Sequence, residues 1–234
     1  MRKYVSLYTV IGVIGLAAVL IGFSKTFIFP VANATFQAPL IIYVHGFLAL
    51  SWIVLFLFQA FLIKAENWTL HMTMGMLGLL IAVGVAVTIP IAGGYQVEKD
   101  LAQGLGDTAV SGILGTFTSS LMFISLVLVG LHYRKSPEVH NRLMLLATIV
   151  VLWPAWFRFR HLFPSIPNPE IWFALVLADS LIIVAWIWDK FTNGRIHPTL
   201  LFVGSFVIIE QTFEVLTFDT EPWRAIAKML YALY

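Results

Sequence analysis

The sequence predicts an all-α fold: a polytopic membrane bundle of about seven transmembrane helices, followed by a C-terminal amphipathic helix at the interface. Three observations carry this. Hydrophobic residues make up 60% of the chain and charged residues 11%, against ~25% charged in an average soluble domain. Apolar runs of about 20 residues, the length that crosses a bilayer, recur along the chain. The breaks between them fall at proline, glycine and charged clusters. A soluble fold of 234 residues could not bury so much apolar surface, so lipid is the solvent and residues 1–234 form a single transmembrane domain.

The expected spans are 4–24, 40–63, 72–92, 110–133, 142–163, 170–189 and 198–218. Arg2 and Lys3, the apolar run from Tyr4 to Phe23, and Ala32-Asn33-Ala34 imitate a signal peptide. The run exceeds the ~7–15 residues of a signal core, so a retained first helix is expected. Pro30 and Pro39 separate the first two spans, and Glu66-Asn67-Trp68 the next two. Gly93-Gly94 is expected to open a polar loop through Glu98, Lys99 and Asp100. Arg134-Lys135-Ser136-Pro137 ends the fourth span, Pro164, Pro167 and Pro169 follow the fifth, and Asn193-Gly194 forms the last tight turn. From Thr220, Trp223, Ile226, Ala227, Leu230 and Tyr234 form one apolar stripe, with Arg224 and Lys228 off it. That pattern predicts a surface helix over 221–234 that anchors at the interface.

Orientation follows from the short loops. With the N-terminus cytoplasmic, the inner face carries Arg2, Lys3, Lys64, Arg134, Lys135, Arg142, Lys190 and Arg195, and the outer face Lys25, Lys99, Arg224 and Lys228. The expected location is a bacterial cytoplasmic membrane, with the lipid bilayer as the first partner. A net charge of +2 gives no reason to expect nucleic acid. With no cysteine, disulfides, iron–sulfur clusters and thiolate metal sites are excluded, which leaves His, carboxylate and Met as ligands. No phosphate-binding glycine loop, His-Glu-x-x-His helix or serine elbow occurs. No lysine lies mid-way along the seventh span to hold a retinal Schiff base. Asn33-Ala34-Thr35 and Asn67-Trp68-Thr69 match the glycosylation pattern, which is short and carries little weight.

Two groups of ionisable residues could carry chemistry. The inner group is His71, His132, His140 and His197, with Gln59 about a turn deeper. His71 and His140 each open a helix running the same way, so their imidazoles could meet at one level, as a heme or metal ligand pair requires. Interfacial placement and the helix dipole explain such histidines equally well. The outer group is Glu210 and Glu214, one turn apart on the seventh span, with Asp179, Arg158, Arg160, His161 and His45. Charges at that depth are expensive and usually face a bundle interior or wet cavity. Structural salt bridges, Arg158 to Glu210 or Asp179, are the bland reading. Small residues at Gly75, Gly78 and Ala82, and at Gly112, Gly115, Ser119 and Ser120, read as helix-packing faces. The tryptophans read largely as an aromatic belt.

The motifs around His45, His71 and His140 read His-Gly-x-x-x-x-x-Trp, His-x-x-x-Gly-x-x-Gly and His-x-Arg-Leu-Met. Together they resemble small bacterial multi-spanning membrane proteins of uncharacterised function. More distantly, the chain is similar to b-type cytochromes of the b561 kind. That resemblance implies heme b, with His71 and His140 as the matched pair. It supplies no partner for His45, since no His opens the fourth span near 108–112; His161 is the substitute. Three functional expectations follow. The first is a heme- or metal-binding protein of electron transfer or membrane redox chemistry. In it, His71, His140 and His132 hold cofactor, His45, His161, Glu210 and Glu214 hold metal, and Arg158, Asp179 and Gln59 form a substrate or proton pathway. The second is a transporter or receptor-like protein with an outward-facing cavity lined by Arg158, Asp179, Glu210 and Glu214 for a small polar ligand. The third is a scaffold whose charges pair with one another.

Overall fold

The computed structural model describes residues 6–234. Arg2 and Lys3, counted in the loop charges, and Tyr4, where the first span was expected to begin, lie outside the described residues. Every regular element among the described residues is helical. Helix α1 (Leu7–Gly22) passes through a π-helical turn (Ser24–Ile28) into the short α2 (Phe29–Ala32). There follow α3 (Leu40–Lys64), α4 (Trp68–Ala102), α5 (Asp107–His132), α6 (Pro137–Val151), α7 (Trp153–Phe157) and a 3-10 turn (Arg158–His161). A π-helical stretch (Glu170–Leu177) then leads into α8 (Ala178–Asn193), α9 (Pro198–Thr217) and α10 (Glu221–Tyr231). Among the described residues, six helical segments are long and apolar enough to cross a membrane, and α1 with its bent continuation (49°) adds a seventh when counted as one span. The chain is an integral membrane helix bundle.

We call the end where α1 begins proximal and the end where it finishes distal. The core lies around α6, where Leu143, Leu145, Leu146, Ala147, Ile149 and Val150 are all buried. Trp52 of α3 donates its indole N–H to Thr148 Oγ1 (3.2 Å) at the centre of that core, edge-on to Phe123 of α5. Outward-facing side chains are large and apolar: Leu80 is 71% exposed and Phe202 70%. Such a surface is the inverse of a soluble protein's, and acyl chains are its natural solvent. Close approaches use glycine. A Cβ on Gly22 would run into the backbone carbonyl of Ala155, so α1 and α7 touch backbone to backbone there.

Two boundaries and one packing residue depart from expectation. Gly93-Gly94 opens no loop, and α4 continues through it and past Pro90 to Ala102. The glycines serve packing: a Cβ on Gly93 would lie 2.6 Å from the Thr116 side chain, and one on Gly94 2.6 Å from the Tyr234 ring. The polar residues beyond them form a helical turn in which Gln96 donates to Asp100 (2.8 Å). Next, the expected span 142–163 begins at Pro137 and breaks at Leu152. Pro154 lacks the N–H that would extend α6 and opens a new short helix instead. Finally, Gly112 faces open space and packs against nothing.

The C-terminal helix is docked on the bundle as well as amphipathic. Trp223 and Ala227 are buried against α5, and the Trp223 indole donates to Ser111 O (2.9 Å). Asp219 occupies a left-handed turn (φ 62), which aspartate tolerates better than most residues. It receives Thr108 Oγ1 (2.9 Å), Ser111 Oγ (2.6 Å) and both Nε (2.9 Å) and Nη2 (2.8 Å) of Arg224. Lys228 Nζ reaches Asp107 (2.7 Å). An open cleft of about 470 Å³ lies among Asp107, Asp219, Glu221, Arg224 and Lys228, and both of its cations are already paired with carboxylates.

Candidate functional site: an acid row between α8, α9 and α5

The π-helical stretch after Pro169 ends at Leu177 and places Asp179 at the second residue of α8. Asp179 is 6% exposed, and both of its carboxylate oxygens are buried without a hydrogen-bond partner. Its electrostatic neighbour is Glu210 of α9. Glu210 and Glu214 are one turn apart on the same helix face, and each carboxyl bears on the other electrostatically. Glu214 in turn accepts from Thr118 Oγ1 of α5. Gly115, one turn before Thr118, leaves space there: a Cβ on it would lie 3.7 Å from Glu214 Oε2. Gln211, 7% exposed, adds a further buried acceptor, Oε1, with no donor. The result is a row of three carboxyls across α8, α9 and α5, rich in acceptors and short of donors.

Arg158 is not part of this row. Its expected pairing with Glu210 or Asp179 does not form, and no salt bridge among the described residues includes it. The break at Leu152 and the 3-10 turn that follows carry it to α1, where its guanidinium lies over the Phe23 ring (4.1 Å) and Nη1 donates to Pro154 O (3.2 Å). A 3-10 turn advances about 3.0 residues per turn against 3.6, so side chains projected from a continuous α-helix leave their expected face. The expected outward cavity lined by Arg158 and the acids together is therefore divided.

The expected metal set is divided too. Among the described residues, no three of His, Asp and Glu stand close enough to hold a metal ion. His45 faces α4, with Nδ1 2.9 Å from Thr88 Oγ1. The Thr88 hydroxyl gives its proton to Gly84 O (2.7 Å), so His45 Nδ1 must be the donor and Nε2 keeps its lone pair. His161 lies at the distal surface, where its carbonyl accepts from Lys25 Nζ (3.1 Å).

At the proximal end, His71 and His140 are electrostatic neighbours. His140 Nδ1 is 2.8 Å from Gly130 O; a carbonyl only accepts, so Nδ1 carries the proton and Nε2 is open. His71 Nδ1 is buried without a partner. Gln59 Nε2 donates to His71 O (3.2 Å), while its Oε1 is buried and unpaired. His132 is exposed and edge-on to Tyr133, away from any such arrangement. His197 is a helix cap: Nδ1 accepts from Thr199 N (3.2 Å). Burial lowers its pKa, the Arg142 charge lowers it further, and Glu138, 3.6 Å from Nε2, works the other way.

The sequence reading did not foresee the ion pair beside it. Arg142 of α6 donates Nη2 to Asp189 Oδ1 (2.6 Å) and Nε to Oδ2 (3.2 Å), and Asp189 also receives Asn193 Nδ2 (2.5 Å) and His197 N (2.8 Å). The available signal was Asp189 one turn before the Asn193-Gly194 stop, with Arg142 one turn after α6 opens. Gln211 gave no signal beyond being polar in an apolar run. Comparison with protein-family models, curated proteins and solved structures finds no match to this chain.

Proposed function

We propose that this protein is a transporter-type or receptor-like membrane protein whose acid row, Asp179, Glu210 and Glu214, takes a small cationic ligand or exchanges it for protons. The observation that carries the reading is the Asp179 carboxyl, with two buried oxygens, no donor and another acid beside it. An unpaired buried polar group costs several kcal/mol, and an unpaired charge more. Asp179 therefore calls for a proton or a cation that its neighbours do not supply. Glu210 and Glu214 lie beside it, so the row offers further carboxyls to bind and release the exchanging species. In this reading the proximal face is cytoplasmic and the membrane is a bacterial inner membrane, as the loop charges predict.

The test uses purified protein in proteoliposomes with a pH-reporting dye inside. Gradients of sodium, potassium and methylammonium are imposed in turn. At least one should drive proton movement that Asp179→Asn abolishes and Asp179→Glu partly keeps, and infrared carboxyl bands should shift on addition of that cation. No flux and no band shift with any of the three would overturn the reading.

A second reading rests on His140. Its Nδ1–H anchored to a backbone carbonyl with Nε2 open is the orientation that ligating histidines adopt, and His71 is its neighbour. These two are the residues that would hold heme b, which would supply one-electron chemistry. Heme added to the purified protein should give a Soret band that His140→Ala removes. An unaltered spectrum of free heme in the native protein would remove this reading and leave the acid row untouched.

A further inference from the structure

We propose that the distal end of the bundle holds a phosphate-binding site formed by Lys25, Arg158, Arg160 and His161. The residues come from two elements that the fold brings together, the π-helical turn after α1 and the 3-10 turn after α7. Lys25 Nζ donates to His161 O (3.1 Å) and ties those turns to each other. Both guanidinium groups are held in place without using up their donors. Arg158 lies over the Phe23 ring (4.1 Å) and gives Nη1 to Pro154 O. Arg160 lies over the Phe157 ring (3.8 Å) and gives Nη1 to Phe157 O (2.9 Å). A guanidinium has five N–H donors, so Nε and Nη2 of each stay available among the described residues.

Charge sets the ligand class. No salt bridge among the described residues engages Lys25, Lys99, Arg158 or Arg160. Yet all four bear on His161, Arg160 also bears on Arg158, and Asp100 is the acid that offsets Arg160. By contrast, the other distal cations, Arg224 and Lys228, each have a carboxylate. Crowded like charges at the end of a membrane span require a counter-anion. Two pre-oriented guanidinium forks with an ammonium beside them suit a tetrahedral oxyanion. The site lies where the spans end, at the level of lipid phosphates, and a phosphate group is therefore its ligand, borne by an anionic lipid headgroup or free in solution.

Native mass spectrometry of the intact protein in detergent tests this with phosphatidylglycerol, phosphatidylcholine and inorganic phosphate as probes. The comparison is with the Arg158→Gln/Arg160→Gln double variant and, should that fail to fold, with Lys25→Gln at an exposed position. Phosphatidylglycerol retained about tenfold more strongly than phosphatidylcholine, lost in the variants and not displaced by phosphate, supports the lipid source. Saturable binding of inorganic phosphate that the variants lose supports the free anion. Equal retention of every probe by native protein and variants overturns the site. The acid-row variants should leave all of these readouts unchanged, so the two proposals fail separately.

Discussion

The Arg142–Asp189 pair gives a sharp test of what holds the proximal end together. Side-chain exposure is 11% for Arg142 and 6% for Asp189, so both charges are largely out of water. Asp189→Ala leaves Arg142 with the Glu138 carbonyl (2.8 Å) as its remaining partner, and strips acceptors from Asn193 Nδ2 and His197 N. Removing one partner of a buried pair costs about 3–5 kcal/mol, which lowers the folded-to-unfolded ratio roughly a hundredfold to a few thousandfold. Arg142→Ala should cost less, because Asp189 keeps the Asn193 and His197 donors. The double variant Arg142→Met/Asp189→Leu should be more stable than Asp189→Ala, since well-packed apolar side chains remove both desolvation penalties together. Reversible unfolding in mixed micelles ranks these variants, and the single replacements Arg142→Met and Asp189→Leu close a double-mutant cycle with the double variant. An Asp189→Ala loss under about 1 kcal/mol, or a double variant equal to the sum of the single replacements, would refute the reasoning.

Two further outcomes follow from packing and titration. Gly22→Leu should destabilise the bundle by about 1–3 kcal/mol or more, because its new side chain meets the rigid Ala155 carbonyl; Gly94→Leu should cost less, since it meets the Tyr234 ring, a side chain that can turn aside where backbone cannot, and thermal unfolding in detergent ranks the pair. The Arg224 guanidinium, helped by the Ser111 and Thr108 hydroxyls, holds the Asp219 carboxyl well below the usual carboxylate range. A depressed acid stabilises above its unfolded pKa, about 3.9, and loses that contribution as pH falls through the folded value. Docking of α10 should thus be constant from neutral pH down to about 4 and weaken below it, read by hydrogen exchange in α10. Asp219→Asn should show the loosened helix at neutral pH, and loosening of the native helix already at pH 6 would contradict the assignment.

Much of the fold was legible because the bilayer imposes one rule: each crossing must bury its backbone polar groups in a run of about 20 apolar residues. Prolines, charged clusters and Asn193-Gly194 marked the ends correctly, and within the tight turn expected there Gly194 takes a left-handed conformation (φ 74). Gly93-Gly94 misled because glycine has two uses, turn and close approach, and only the tertiary neighbours Thr116 and Tyr234 decide between them. Likewise Pro154 was visible, but the rotation it imposes on Arg158 was not. Rotation depends on local helix type, which apolar periodicity cannot resolve when almost every position is apolar.

The candidate site divides along the same line. That Asp179, Glu210 and Glu214 belong together could be read from depth and the one-turn spacing of the two glutamates. Their separation from Arg158 and His45 could not, because depth fixes a residue's level and leaves its direction around the helix open. Direction decides the chemistry here. A structural network would have needed Arg158 to face the acids. Broken at Leu152, the chain sends its cations toward α1 and leaves the acids with each other. One interruption therefore keeps charges of opposite sign apart, with cations against α1 and buried acids between α8 and α9. Under the two proposals made above, that separation is what leaves each set to find its counter-charge in a ligand from outside the chain.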